Sequence, residues 1–165
     1  MLCGVLRHQG TPARVRCGFA AYFSKDRWED HWVCEYWLPT EGRWCRADSQ
    51  LDEVLKKRLE IGFDMTDVPP DMFMTAADAW HQCRMKQSDP CAFGQGSAQG
   101  LWFVRVNVVR DHYALNASEV SVWDSWRSAI GRHELLTDGD QAATDLIALH
   151  PEEAIKSAVA PPWLV

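Results

Sequence analysis

His31-Trp32-Val33-Cys34-Glu35-Tyr36-Trp37, then Leu38-Pro39-Thr40-Glu41-Gly42, then Arg43-Trp44-Cys45-Arg46-Ala47-Asp48 is the stretch that decides how this chain folds. Two runs rich in aromatic and β-branched residues flank a Pro- and Gly-containing turn, which predicts a β-hairpin. If Trp37 pairs with Gly42, antiparallel register sets His31 directly across from Asp48. Opposed residues share a face, with Cβ atoms about 4.5–5.5 Å apart. A carboxylate beside an imidazole fixes its tautomer and supports positive charge on the ring, which is two thirds of a nucleophile–base–orienter triad. The bland alternatives are a satisfied surface histidine and a strand-end carboxylate bonded to local backbone.

Outward from the hairpin, residues 1–9 read as a helix, with Leu2, Val5 and Leu6 at helical spacing and Gly10 and Pro12 as the stop. This helix starts without a cap, inside its apolar pattern, as if cut in the middle of an element. Residues 14–23 alternate as a strand, with Val15, Cys17, Phe19, Ala21 and Phe23 on a buried face and Arg14, Arg16 and Tyr22 on the other. Residues 24–30 read as a polar loop. Beyond the hairpin, helices are expected over 52–60 and over 75–85, the latter capped by Thr75 with Asp78 three residues on. Loops are expected over 64–71 and 88–100, a strand over 101–109, and helices over 111–119, 123–130, 138–149 and 151–159.

The 165 residues make one domain with room for a core, and 47% apolar with 24% charged residues excludes disorder. A net charge of −6 argues against nucleic acid as a partner. No apolar run reaches membrane-spanning length and no signal peptide precedes the domain, so no membrane association and a cytoplasmic location are expected. The nine Trp fall mostly in strand-like or amphipathic segments, which makes them packing residues. The hairpin register sets Cys34 opposite Cys45, a cross-strand disulfide or, in a reducing compartment, two free thiols. His81, Cys83 and Cys91 have ligand chemistry but not zinc-site spacing, and no metal or cofactor is expected.

Other polar groups have ordinary explanations. Asp111-His112 reads as a helix start or surface pair, and Arg14 and Arg16 as solvated charges. Asp138-Gly139-Asp140 lacks the remaining ligands of a calcium loop and reads as the first turn of a helix capped by Thr137.

Three segments together resemble the transglutaminase-like superfamily. Gly10-Thr11-Pro12-Ala13-Arg14 leading to Gly18-Phe19 is similar to its G-I-P-A-R-x-x-x-G-[YF] segment. Asp30-His31-Trp32-Val33 resembles its H-x-W segment, and Arg43-Trp44-Cys45-Arg46-Ala47-Asp48 its W-x-x-x-D segment. Order and spacing agree over the first third of the chain. The remainder, with Gly100-Leu101-Trp102-Phe103 and Trp123-Asp124-Ser125-Trp126, resembles the extension of a bacterial branch.

The resemblance implies an α+β fold: a papain-like core with an antiparallel sheet and flanking helices, partial over residues 1–52, and a mostly helical extension over 53–165 packed as the same domain. It implies a Cys-His-Asp triad acting on protein or peptide amides by acyl transfer or hydrolysis, with His31 as base and Asp48 as orienter. Cys3 is the one thiol on the expected helix. It lies seven residues before Gly10, about 10 Å along the helix, whereas the family nucleophile belongs two or more turns further upstream. Cys3 therefore reads as a buried structural thiol. The chain is expected to lack its nucleophile, lost or upstream of Met1, and to have little activity. The alternative is a non-catalytic peptide- or partner-binding module with a vestigial His/Asp pair. Oligomeric state is not legible.

Overall fold

The computed structural model describes residues 1–116 and 136–152. It is mixed α+β, with a four-stranded antiparallel sheet. Helix α1 (Leu2–His8) leads through Gly10, at φ +83°, into strands β1 (Ala13–Ser24), β2 (Arg27–Leu38) and β3 (Arg43–Ala47). Helix α2 (Glu53–Arg58) and a long loop precede β4 (Phe73–Thr75), which runs straight into helix α3 (Ala76–Arg84). A short 3-10 turn (Pro90–Ala92) and a minimal ribbon, β5 (Gly94–Gln95) and β6 (Ala98–Gln99), precede helix α4 (Leu101–Leu115), and helix α5 is Asp138–Leu149. The sheet order is β3-β2-β1-β4.

The two faces of the sheet are covered differently. On one, Phe19 packs with α3, α4, Phe93 and Ile147 of α5, while Cys3 and Leu6 of α1 lie against Ala13, Val15 and Cys34. On the other, Ala20, Tyr22 and Val33 meet Leu51, Val68 and Phe73, with Leu55, Ile61, Phe63 and Met65 closing over them. That second cover is the loop after α2. It also bonds the outer edge of β3, through Asp48 N–H to the Met65 carbonyl and Val68 N–H to that of Arg46, so the edge strand is not left open.

Several expectations change. Residues 24–30 are not a loop: β1 and β2 are joined by a two-residue turn at Lys25 and Asp26, with Ser24 facing Arg27. The β1 face does not divide into buried and solvated halves. Arg16 and Tyr22 are buried and Ala21 and Phe23 only half-buried, because the loop covers the face read as open and the register shifts between Ala20 and Ser24.

The hairpin forms with Trp37 opposite Trp44, two residues from the register expected, after a four-residue turn closed by Gly42 at φ +63°. The Trp37 and Trp44 rings meet edge-to-face at 5.8 Å, and the Arg14 guanidinium lies over Trp44 at 4.2 Å. Cys34 now faces Ala47 and Cys45 faces Tyr36, and both thiols are free.

Residues 101–109 are helix, not strand, continuous with the helix expected at 111. Every residue from Phe103 to His112 is buried, so α4 has no polar stripe and its Val-rich run imitates a strand. Asp111 and His112 are consequently interior, not surface. The Asp111 carboxylate accepts from both Arg16 (Nε 3.0 Å, Nη2 2.7 Å) and from Cys17 N–H (2.8 Å), at the part of the β1 edge that β4 does not reach. His112 Nδ1 meets the Pro151 carbonyl at 2.9 Å.

The capped helices are as read. Thr75 caps α3 with Asp78, and Thr137 with Asp140 makes a capping box on α5. The helices expected over 123–130 and over most of 151–159, and the Trp123-Asp124-Ser125-Trp126 motif, lie outside the described residues.

Candidate functional site

His31 and Asp48 do meet. The two-residue register shift preserves side-chain parity, so both still point to the face under the α2 loop. Extended one residue past Cys34–Ala47, the register sets Asp48 beside Val33, and His31 reaches it diagonally. His31 Nε2 lies 2.7 Å from Asp48 Oδ2, with His31 7% and Asp48 1% exposed. The neighbour of His31 on β1 is Gly18, whose missing side chain leaves room for the Phe73 ring.

Tyr22 completes the cluster. Its hydroxyl donates to Asp48 Oδ2 at 2.8 Å, and Gln50 N–H donates to Oδ1 at 2.9 Å. Burial works against the Asp48 charge. The His31 hydrogen bond and charge, with the Gln50 and Tyr22 donors, still hold its carboxyl below the usual range. An ionised carboxylate only accepts, so His31 Nε2 carries the hydrogen of this bond, and in the neutral ring the lone pair falls on Nδ1. Burial, then the Asp48 charge, raises the Tyr22 hydroxyl far above a normal phenol, so it stays a neutral donor. The Phe23 and Tyr22 rings stand edge-on to the imidazole at 4.8 and 6.0 Å. Chemically the cluster is a fixed proton acceptor at Nδ1, backed by an anion.

Tyr22 was not legible as a site residue. Its signal lies in the β1–β2 pairing: counted from Gly18 opposite His31, Tyr22 falls on the same face, and only the turn at Lys25–Asp26 reveals that pairing.

No thiol faces the imidazole. Cys3 and Cys34 hydrogen-bond each other on the opposite face of the sheet. That bond lowers the Cys3 thiol pKa, against burial, and raises that of Cys34. Cys17, fully buried, donates to Asn107 Oδ1 at 3.2 Å, and burial pushes its pKa well up. Cys45 lies beside Tyr36 on β3, Cys83 on α3 has its pKa raised by burial to about 11, and Cys91 is exposed after the Asp89 turn. Among the described residues no group of three His, Cys, Asp or Glu side chains is placed to hold a metal ion, and no helix is long and apolar enough to cross a membrane.

Along the same face from His31, Glu35 collects three arginines. Its Oε2 accepts from Arg14 Nε (2.8 Å) and Arg16 Nη1 (3.1 Å), and its Oε1 from Arg46 Nε (3.1 Å). Burial opposes the Glu35 charge, but the Arg16, Arg14 and Arg46 cations hold its carboxyl below the usual range. Arg14 and Arg16 are thus half-buried and buried structural cations rather than the solvated charges expected.

No family model, curated protein or solved structure matches this chain.

Proposed function

We propose that this chain is a transglutaminase-like domain that binds a protein or peptide segment without turning it over. The observation that carries this reading is the closed His31–Asp48–Tyr22 cluster, which has an acceptor nitrogen but faces none of the six thiols. The retained pair keeps a buried polar joint between the hairpin and β1, and the cleft beside it becomes a recognition surface.

A second reading is favoured by the three ordered motifs and by the tautomer. Here the cluster is the base and orienter of a cysteine-dependent amide acyl transfer or hydrolysis, and Nδ1 is where a thiol proton would go. Attack by a thiolate would expel the amide nitrogen and leave a thioester for an amine or water. That mechanism needs a thiol placed at Nδ1.

Incubation with a fluorescent primary amine and a glutamine-rich acceptor protein separates the two. The binding reading expects no incorporation above that of heat-denatured chain. Incorporation that disappears in Cys3→Ser, or in a Ser variant of any other cysteine, overturns it in favour of the catalytic reading.

A further inference from the structure

Beside the His31 cluster, the β1–β2 turn and the chain leaving α2 enclose an open cavity of about 560 Å³. Its size is within the range of small-molecule sites. The apolar part comes from Tyr22, Phe23, Ile61, Phe63 and Met72. The Tyr22 ring meets Phe63 edge-to-face at 5.4 Å and Phe23 at a tilt at 4.7 Å, so this wall is an interlocked aromatic surface rather than loose side chains.

The rim is charged in a particular way. Arg14, Arg16, Arg43, Arg46 and Arg84 each hold a carboxylate. Lys25, in the β1–β2 turn, and Arg58, at the end of α2, both line this cavity and pair with none among the described residues. One acidic side chain, Glu60, also lines it, so the charged part of the lining is net positive beside the apolar part. Glu60 stands at φ +56° where α2 ends, and the Ile61 N–H closing that turn on the Lys56 carbonyl (2.9 Å) fixes the wall that carries Arg58.

We propose that this cavity binds a small amphipathic carboxylate, with an aromatic or aliphatic body against Tyr22 and Phe63 and the carboxylate between Lys25 and Arg58. The proposal rests on the binding reading above and specifies its ligand. Burial of the apolar body supplies the attraction, and the two cations select for the anionic end. The same chemistry is presented by a peptide C-terminus with a hydrophobic last residue and by a free alkyl carboxylic acid. Because the Tyr22 ring lines the cavity while its hydroxyl holds Asp48, occupancy is felt at His31.

The test is an NMR titration following the His31 imidazole resonance, identified by its loss in His31→Gln. The ligands are N-acetyl-phenylalanine, octanoate and the uncharged N-acetyl-phenylalanine amide. Expected is a saturable shift with one or both carboxylates, at least about tenfold weaker with the neutral amide. Preference between the first two separates a peptide end from a free acid. Lys25→Glu with Arg58→Glu, both exposed positions, should weaken binding by a further factor of about ten or more with an unchanged circular dichroism spectrum, and Glu60→Gln should tighten it. Equal binding of the amide, indifference to the double charge reversal, or no shift with either carboxylate at ~50 mM, past the weak end of small-ligand affinity, overturns the proposal. Amine incorporation measured on the same samples keeps the two readings apart. Turnover alone removes the non-catalytic reading, and failure of the titration alone removes this site.

Discussion

Asp48 shows how one buried carboxylate organises its surroundings. It accepts from His31, Tyr22 and the Gln50 backbone, so three donors depend on it. Removing an acceptor leaves buried donors unsatisfied, at roughly 1–3 kcal/mol for each group that water cannot reach, whereas removing one of several donors costs only its own net bond. Asp48→Ala is therefore expected to lower unfolding stability by about 3 kcal/mol or more, and Tyr22→Phe by about 1 kcal/mol, in urea melts followed by circular dichroism. Equal losses for the two would mean that Asp48 is not the shared acceptor. The pair itself was legible in the sequence because parity survives a two-residue error in register. Tyr22 was not, because its partnership depends on a different strand pair.

At the scale of elements, β1 is one of the two inner strands of the sheet, and at Gly18 it is bracketed by β2 and β4 together. A Cβ at Gly18 would stand 2.1 Å from the Met74 carbonyl oxygen and 2.8 Å from the Phe73 ring. Neither backbone nor a fully buried ring can yield that distance cheaply, so Gly18→Ala should push β4 off β1. The expected loss is roughly 3 kcal/mol, the upper part of the overpacking range, with faster amide exchange confined first to Phe73–Thr75. Unchanged protection in β4 would refute that account. This explains physically why the sequence segment before the hairpin carries a glycine at that place. Helix α4 teaches the reverse lesson. Caps made α3 and α5 readable, since Thr75 and Thr137 act through neighbours three residues away. In α4 the starting residue is Gly100 at φ +95° with no side-chain cap, and burial on every side erases the helical stripe.

For the whole molecule, the buried charges set the response to acid. Glu35 and Asp48 both have folded-state pKa values held below their ordinary ones. Such groups contribute stability that is present above their unfolded pKa values, about 4.3 for Glu and 3.9 for Asp, and is lost as pH falls through the folded values. Stability measured by chemical denaturation should therefore be flat with respect to these two groups near neutrality and fall progressively below about pH 4. Glu35→Gln leaves Arg14, Arg16 and Arg46 without that shared carboxylate. It should start less stable, by roughly 1–3 kcal/mol because Arg16 keeps Asp111 and Arg14 keeps Glu152, and lose less on acidification. An acid limb as steep as in the unsubstituted chain would show that Glu35 does not carry it.

What the sequence determined by itself is local or periodic: the α+β class, the hairpin, the capped helices and the shared face of His31 and Asp48. These depend on alternation, turn residues and side chains that reach only a few positions along the chain. The tertiary structure decided what depends on which surfaces come together. It made residues 101–109 part of a helix that is buried on all sides from Phe103 onward, and turned Arg16 inward to meet Asp111. It covered the second face of the sheet with the loop after α2, which placed Tyr22 on Asp48 and brought Lys25 and Arg58 to the lining of one cavity. It also put Cys3 against Cys34, on the far side of the sheet from His31, because successive side chains of a strand point to opposite faces and no local pattern says which face a preceding helix will take.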